Sequence, residues 1–138
     1  MHALVLALVA SALAGAPAQQ DPPTLSAQPS RFGRVLFDGR GLVLYVFTKD
    51  APRKSNCAGA CAKAWPPFVV RRAPRAAKGA RGALVGTVRR ADGRLQATYA
   101  GRPLYFYVGD SPGVILCQNV EEFGGLWLVV RPDGTPVR

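Results

Sequence analysis

The chain reads as a mainly β protein: two duplicated β-rich units, each a hairpin plus a strand, in one compact domain with a short Cys-containing helix in the first unit. Three observations carry this. The block "LYVFTKDAP" at 44–52 returns without a gap, sixty residues later, as "LYFYVGDSP" at 104–112. The segments around both blocks alternate in apolar character and are punctuated by Asp-Gly and Ala-Gly turns. Helical signals are confined to 57–65, between a polar Ser55-Asn56 start and a Pro66-Pro67 stop.

The duplication extends beyond its core. Gly39-Arg40 and Gly101-Arg102 precede the two copies, and Cys57 and Cys117 each lie seven residues after an aspartate. Trp65 with Val69-Val70 answers Trp127 with Val129-Val130. The units, about 31–70 and 87–131, are therefore expected to pack about a pseudo-two-fold axis.

In the first unit, 34–37 and 42–48 form a hairpin whose turn, 38–41, needs glycine at positive φ. Tyr45 and Phe47 occupy one face of its second strand, Leu44 and Val46 the other, which places that strand inside a sheet. In the second unit, 85–90 and 94–99 pair around Ala91-Asp92-Gly93. Residues 100–103 turn the chain into a strand at 104–108, and a last strand, 126–131, stops at Pro132-Asp133-Gly134. The connector, 71–86, is rich in basic and small residues and is expected to be an exposed loop or short frayed helix.

Residues 1–18 carry an apolar run followed by Ala16-Pro17-Ala18, a small-residue cleavage signal, and read as a signal peptide. The run is shorter than the about 20 apolar residues a membrane span needs, so no transmembrane segment is expected in the mature chain. No cysteine follows it, which argues against lipidation. Residues 19–30, polar and Pro-rich, read as a flexible leader, with 31–138 as the domain.

Composition excludes whole classes of chemistry. The 138-residue chain is 49% hydrophobic, enough for a core. Its only histidine is His2, inside the signal segment. A mature chain without histidine has no Ser-His-Asp triad, Cys-His pair or imidazole metal site. No enzyme activity, metal or cofactor is expected. The net charge is +10, with arginine supplying 14 of 18 cationic residues. Such a charge suits anionic envelope polymers, bound through Arg71, Arg72, Arg75, Lys78 and Arg81 of the connector and through Arg89-Arg90. A solvated basic surface is the plainer reading, and specific nucleic-acid recognition is not expected.

Asp50 and Asp110 end apolar strands two residues before a proline, where a carboxylate accepts backbone N–H bonds and fixes a turn. The alternative is a carboxylate pair meeting across the pseudo-axis as acid and base or as cation ligands. Tyr45, Phe47, Tyr105 and Tyr107, with Trp65 and Trp127, read as core whose tyrosine hydroxyls seek partners such as the two aspartates. An aromatic platform for a sugar is the competing reading.

The sequence has three cysteines, and export favours oxidation. On a helix, positions 57, 61 and 65 share a face, and a Cys57–Cys61 bond is feasible with some distortion, which Gly59 eases. A bond from either to Cys117 closes a loop of nearly sixty residues, worth about 4 kcal/mol in the entropy model against about 2 for the short loop. A functional dithiol or metal-handling site at Cys57 and Cys61, with Cys117 as resolving thiol, is the third arrangement.

Tyr45 to Asp50 and Tyr105 to Asp110 both fit a Yx(F/W/Y)xxD pattern, and "KSNCAGACAKAWPP", "GRPLYFYVGD" and "FGGLWLVVRPDG" accompany them. Over about 31–135 the chain resembles a family of bacterial secreted proteins and predicted lipoproteins built on a repeat of unknown function. The resemblance implies an exported, non-catalytic two-repeat protein. It also favours the Cys57–Cys61 pairing, since relatives without a third cysteine keep that pair.

Overall fold

The computed structural model describes residues 7–12, 15 and 23–138. The cleavage signal and most of the apolar run lie outside the described residues. Among the described residues, three small sheets share the work of the fold. In the first, β1 (Thr24–Ser30) lies between β2 (Gly33–Asp38), antiparallel, and a short β5 (Arg75–Ala76), parallel. In the second, β10 (Gly125–Val129) lies between β3 (Tyr45–Phe47) and β9 (Val120–Glu122), both antiparallel to it. In the third, β7 (Leu95–Tyr99) lies between β4 (Val69–Val70) and β6 (Val85–Arg89), and β8 (Arg102–Pro103) also pairs with it. The molecule is mainly β, with a short helix, α1 (Ala60–Ala64), that holds one half of the disulfide.

Turn chemistry explains the hairpins. Asp38 accepts the N–H groups of Arg40 and Leu42 on Oδ1, and Gly41 takes φ 87°. Asp92 accepts Arg94 N–H in the same manner, and Gly93 also takes φ 87°. These short carboxylates satisfy the turn amides that strands cannot.

The units are interlocked. The last strand of the second unit, β10, pairs with β3 of the first in the register Trp127↔Phe47, Leu128↔Val46 and Val129↔Tyr45. Reciprocally, the end of the first unit lies along the second-unit block: Phe106 N–H donates to Pro66 O, Phe68 N–H to Leu104 O and Val108 N–H to Ala64 O. Tyr45 and Tyr105 exchange backbone bonds of 2.9 Å in both directions at the centre. The outer strands follow the same rule, with Leu36 N–H donating to Val130 O and Ala97 N–H to Phe68 O.

Side chains alternate across this central layer. Tyr45, Phe47, Tyr105, Trp127 and Val129 enter one core with Trp65, Cys57 and Cys61. Leu44, Val46, Leu104, Leu128 and Val130 enter a second core with Leu25, Ala27, Leu36, Ala97 and Tyr99. The strand at Tyr45 is thus apolar on both faces because both are covered.

Four expectations are corrected. From Thr24 on, the expected leader (19–30) is strand: Leu25 and Ala27 are buried at period two while Thr24, Ser26 and Gln28 point outward. The connector is not a loose loop or frayed helix. Arg75 N–H bonds Pro23 O, Ala77 N–H bonds Leu25 O, and a 3-10 turn at Gly82–Leu84 leads into β6. The 104–108 segment is held by bridges at Tyr105 to Tyr45 and Pro67 instead of a continuous strand. Finally, α1 starts at Ala60, not Cys57, and has Gly59 at its N-cap at φ 58°. Asn56 and Ser55 do not cap it, because Asn56 Nδ2 donates to Lys49 O and the Ser55 hydroxyl meets Tyr105.

Candidate functional site: crossed tyrosine–aspartate pairs

Each tyrosine of the duplicated blocks donates to the aspartate of the other unit. Tyr45 Oη donates to Asp110 Oδ2 at 2.6 Å, and Tyr105 Oη donates to Asp50 Oδ2 at 2.8 Å. The second oxygen of each carboxylate holds its own loop: Asp50 Oδ1 accepts Asn56 N–H at 2.7 Å, and Asp110 Oδ1 accepts Leu116 N–H at 3.0 Å. Asp50 N–H and Asp110 N–H bond the carbonyls of Phe47 and Tyr107. Both carboxylates therefore fix a turn and clasp the opposite unit. Each of the four carboxylate oxygens carries one such bond.

The aromatic rings form one stack through the axis. Trp65 and Trp127, one from each unit, lie parallel at 4.1 Å between centroids, and Phe47 covers the other face of Trp127 at 4.1 Å. Tyr107 tilts against Trp65 at 4.9 Å. Tyr45 meets Trp65 edge-on and Tyr105 meets Trp127 edge-on, both at 5.1 Å. Tyr45, Phe47, Trp65, Tyr105 and Trp127 are buried, which leaves no open ring face among them for a sugar. Glu122 serves both indoles: its Oε2 accepts Trp65 Nε1 at 3.4 Å and its carbonyl accepts Trp127 Nε1 at 3.0 Å.

The two clasps differ in electrostatics. At Asp50, Tyr105 Oη is also 2.6 Å from Ser55 Oγ, and Ser55 Oγ accepts Arg90 Nη1 at 3.0 Å. Arg90 further bonds Gln96 Oε1 at 2.7 Å and Cys57 O at 2.6 Å. Burial pushes the Asp50 carboxyl up to about 6, against the pull of the Asn56 N–H, the Tyr105 hydroxyl and the Arg90 charge. Burial also raises Tyr105. At Asp110, Ile115 stands where the first unit has Ser55, and Arg31 Nη2 donates to its carbonyl at 2.8 Å. Burial raises Asp110 and Tyr45.

Cys57 and Cys61 form a disulfide with Cα atoms 5.3 Å apart, both half-cystines buried in the first core. Because Cys57 lies outside the helix, the bridge spans a turn at Gly59 and needs no distorted helical i, i+4 pair. Cys117 is free and half-buried near Tyr107, with burial raising its thiol. The structure thus separates Cys117 from the bonded pair.

Arg71, Arg72, Arg75, Lys78 and Arg81 are all exposed along the connector. Arg90 does not join them. It is 8% exposed and its two Nη groups are engaged inside the fold, so the Arg89-Arg90 surface is reduced to Arg89, whose Nη1 donates to Gly93 O. Sequence reasoning missed Arg90, Ser55, Gln96 and Glu122 as organisers. The available signal was weak: Gln96 and Thr98 alternate with apolar residues along the strand, and Gln96, once buried, needs a partner.

No curated protein and no solved structure matches the chain. A family model described as a secreted repeat of unknown function matches twice, at 30–69 and 86–131, on the two units whose strands cross in the structure. With most of the chain inside those two matches, the protein belongs to this family of secreted repeats.

Proposed function

We propose that the protein is an exported, non-catalytic module of the cell envelope or secreted fraction that acts by binding, its two repeats locked together by the crossed pairs and the Cys57–Cys61 disulfide. The observation that carries this reading is the occupancy of the duplicated residues. Tyr45, Tyr105, Asp50 and Asp110 bond one another across the units, which gives them an architectural task. The family's description as a secreted repeat and the disulfide agree with export. A thiol redox or metal-handling role for Cys57 and Cys61, with Cys117 as third thiol, is disfavoured by the burial of both bonded sulfurs, which blocks attack by an incoming thiolate. Alkylation of native protein followed by mass spectrometry is expected to find one resistant disulfide and one slowly reacting thiol at Cys117. Two or more rapidly alkylated thiols would overturn the module reading in favour of redox chemistry.

A second reading has its own support, because all five connector cations are exposed. Binding of anionic envelope polymers there predicts retention on heparin that is lost when Arg71, Arg72, Arg75, Lys78 and Arg81 are neutralised. Retention that persists in that variant rejects the connector as the site.

A further inference from the structure

The interlocked halves differ at one sheet edge. In the first sheet, β1 has β2 on one side and the connector on the other: Arg75 N–H donates to Pro23 O, Ala77 N–H to Leu25 O and Ala27 N–H to Lys78 O. In the third sheet, β6 holds the place of β1. Ala27 pairs with Leu36 as Thr87 pairs with Ala97, and Leu36 and Ala97 make the corresponding bonds to Val130 and Phe68. Leu25, Ala27 and Pro29 therefore correspond to Val85, Thr87 and Arg89. β6 is the last strand of its sheet.

The phase of β6 follows from its ends. Ala100 N–H donates to Leu84 O and Arg90 N–H to Arg94 O. Bonded pairs alternate along an antiparallel ladder, so Gly86 and Val88 face β7 while Val85, Thr87 and Arg89 turn their backbone groups outward. Val85 N–H closes the 3-10 turn on Gly82 O. The Val85 carbonyl, both Thr87 groups and Arg89 N–H meet no strand among the described residues. Their counterparts on β1, the Leu25 carbonyl and Ala27 N–H, are the groups the connector bonds.

We propose that the outer edge of β6 docks an extended acidic segment of a partner protein, added as a parallel strand in the way β5 is added to β1. The fold supplies the template: 75–78, Arg-Ala-Ala-Lys, shows that the corresponding edge accepts a short strand with small central side chains. Charge selects the occupant. The chain carries +10, and exposed Arg89 is the last residue of the edge strand. That field repels a second copy and attracts carboxylates. The edge is also left open: β1 ends its outer row with Pro29, which has no N–H to offer, whereas β6 carries Arg89 there. This rests on the reading that the protein acts by binding, and names the surface and partner class for it.

The test is a titration of nitrogen-15-labelled, oxidised protein with a terminally blocked peptide, Glu-Val-Ala-Thr-Glu, to millimolar concentration. Saturable amide shifts are expected at Val85, Thr87 and Arg89, with about tenfold slower hydrogen exchange at Thr87 N–H when peptide saturates the edge. Thr87→Pro removes the outward N–H and should abolish both effects. Arg89→Pro, which places in β6 the residue β1 carries at the corresponding position, is the second variant should the first not fold. Absence of saturable shifts overturns the proposal. So do shifts confined to 71–81, which would leave the binding reading intact and move its site, and self-association through β6 without peptide, which would make a second copy the occupant.

Discussion

Removing the Tyr105 hydroxyl takes a short bond from both Asp50 Oδ2 and Ser55 Oγ, whereas the Tyr45 hydroxyl makes one short bond, to Asp110, and a longer one, at 3.4 Å, with the Cys117 N–H. Tyr105→Phe is expected to cost about 1–3 kcal/mol, the range for leaving a buried polar group unsatisfied. Tyr45→Phe should fall at the lower end, as urea denaturation of the two variants will show. Asp50 adds a pH signature. Its carboxyl is raised to about 6 in the fold from an ordinary 3.8, so between these values the folded state holds more proton than the unfolded one. Its contribution is complete below the unfolded value and is lost as pH rises through about 6. Thermal unfolding from pH 4 to 7 should therefore decline less steeply in Asp50→Asn than in the parent, with a residual slope from Asp110, which is raised in the same sense. Equal slopes would show that Asp50 titrates normally.

Among the elements, the turn before α1 concentrates the constraints of the first unit: Gly59 at φ 58°, the disulfide, and the Arg90 bond to Cys57 O. Open space surrounds the position of a Cβ at Gly59, so Gly59→Ala meets no clash and carries only the backbone cost of holding φ 58° with ψ −126°, a region close to glycine-only, about 1–3 kcal/mol. Reduction of Cys57–Cys61 should lower stability by about 2 kcal/mol, as expected for a short closed loop. Calorimetry with and without reductant reads both effects. The elements also differ in how far the sequence announces them. β3 was legible because Leu44, Tyr45, Val46 and Phe47 are apolar on both faces and the block recurs. β1 was not, because Leu25 and Ala27 are a thin apolar pattern flanked by prolines, and their burial comes from the second core, to which both units contribute. β9 was invisible: Val120-Glu121-Glu122 shows no alternation, and its hairpin turns on Phe123 at φ 57° before Gly124, a conformation a phenylalanine does not advertise. At the site, the residue types that meet could be read from the duplicated blocks. That each tyrosine reaches the other unit's aspartate could not, because it follows from the exchange of strands. Arg90 was misread for a like reason: next to Arg89 at a turn it looks solvated, and only the convergence of Ser55, Gln96 and the Cys57 carbonyl draws it in.

The whole molecule stands on pairings between its halves. β3 has β10 on one side and the Tyr105 segment on the other, both from the second unit, and β7 carries β4 of the first. The first sheet lies within 23–78, but neither half contains the complete second or third sheet or a complete Trp65–Trp127 stack. Separate polypeptides covering 23–78 and 79–138 are therefore expected to lack fixed β structure alone and to recover it when mixed, as circular dichroism of each fragment and of the mixture will reveal. Native-like spectra for either fragment would refute this. Pairing across sequence-distant segments also places folding among slow, non-local topologies.

The crossing of β3 and β10 also bears on ancestry. A gene coding a single unit would yield a chain that completes itself only by lending its last strand to an identical sister and borrowing one in return. Joining two such genes head to tail turns that mutual loan into an internal one and frees the copies to diverge. The arginine clasp on one side and the cysteine on the other, Arg90 with Ser55 against Ile115 with Cys117, are what such a licence permits: the halves still hold hands but no longer need to match.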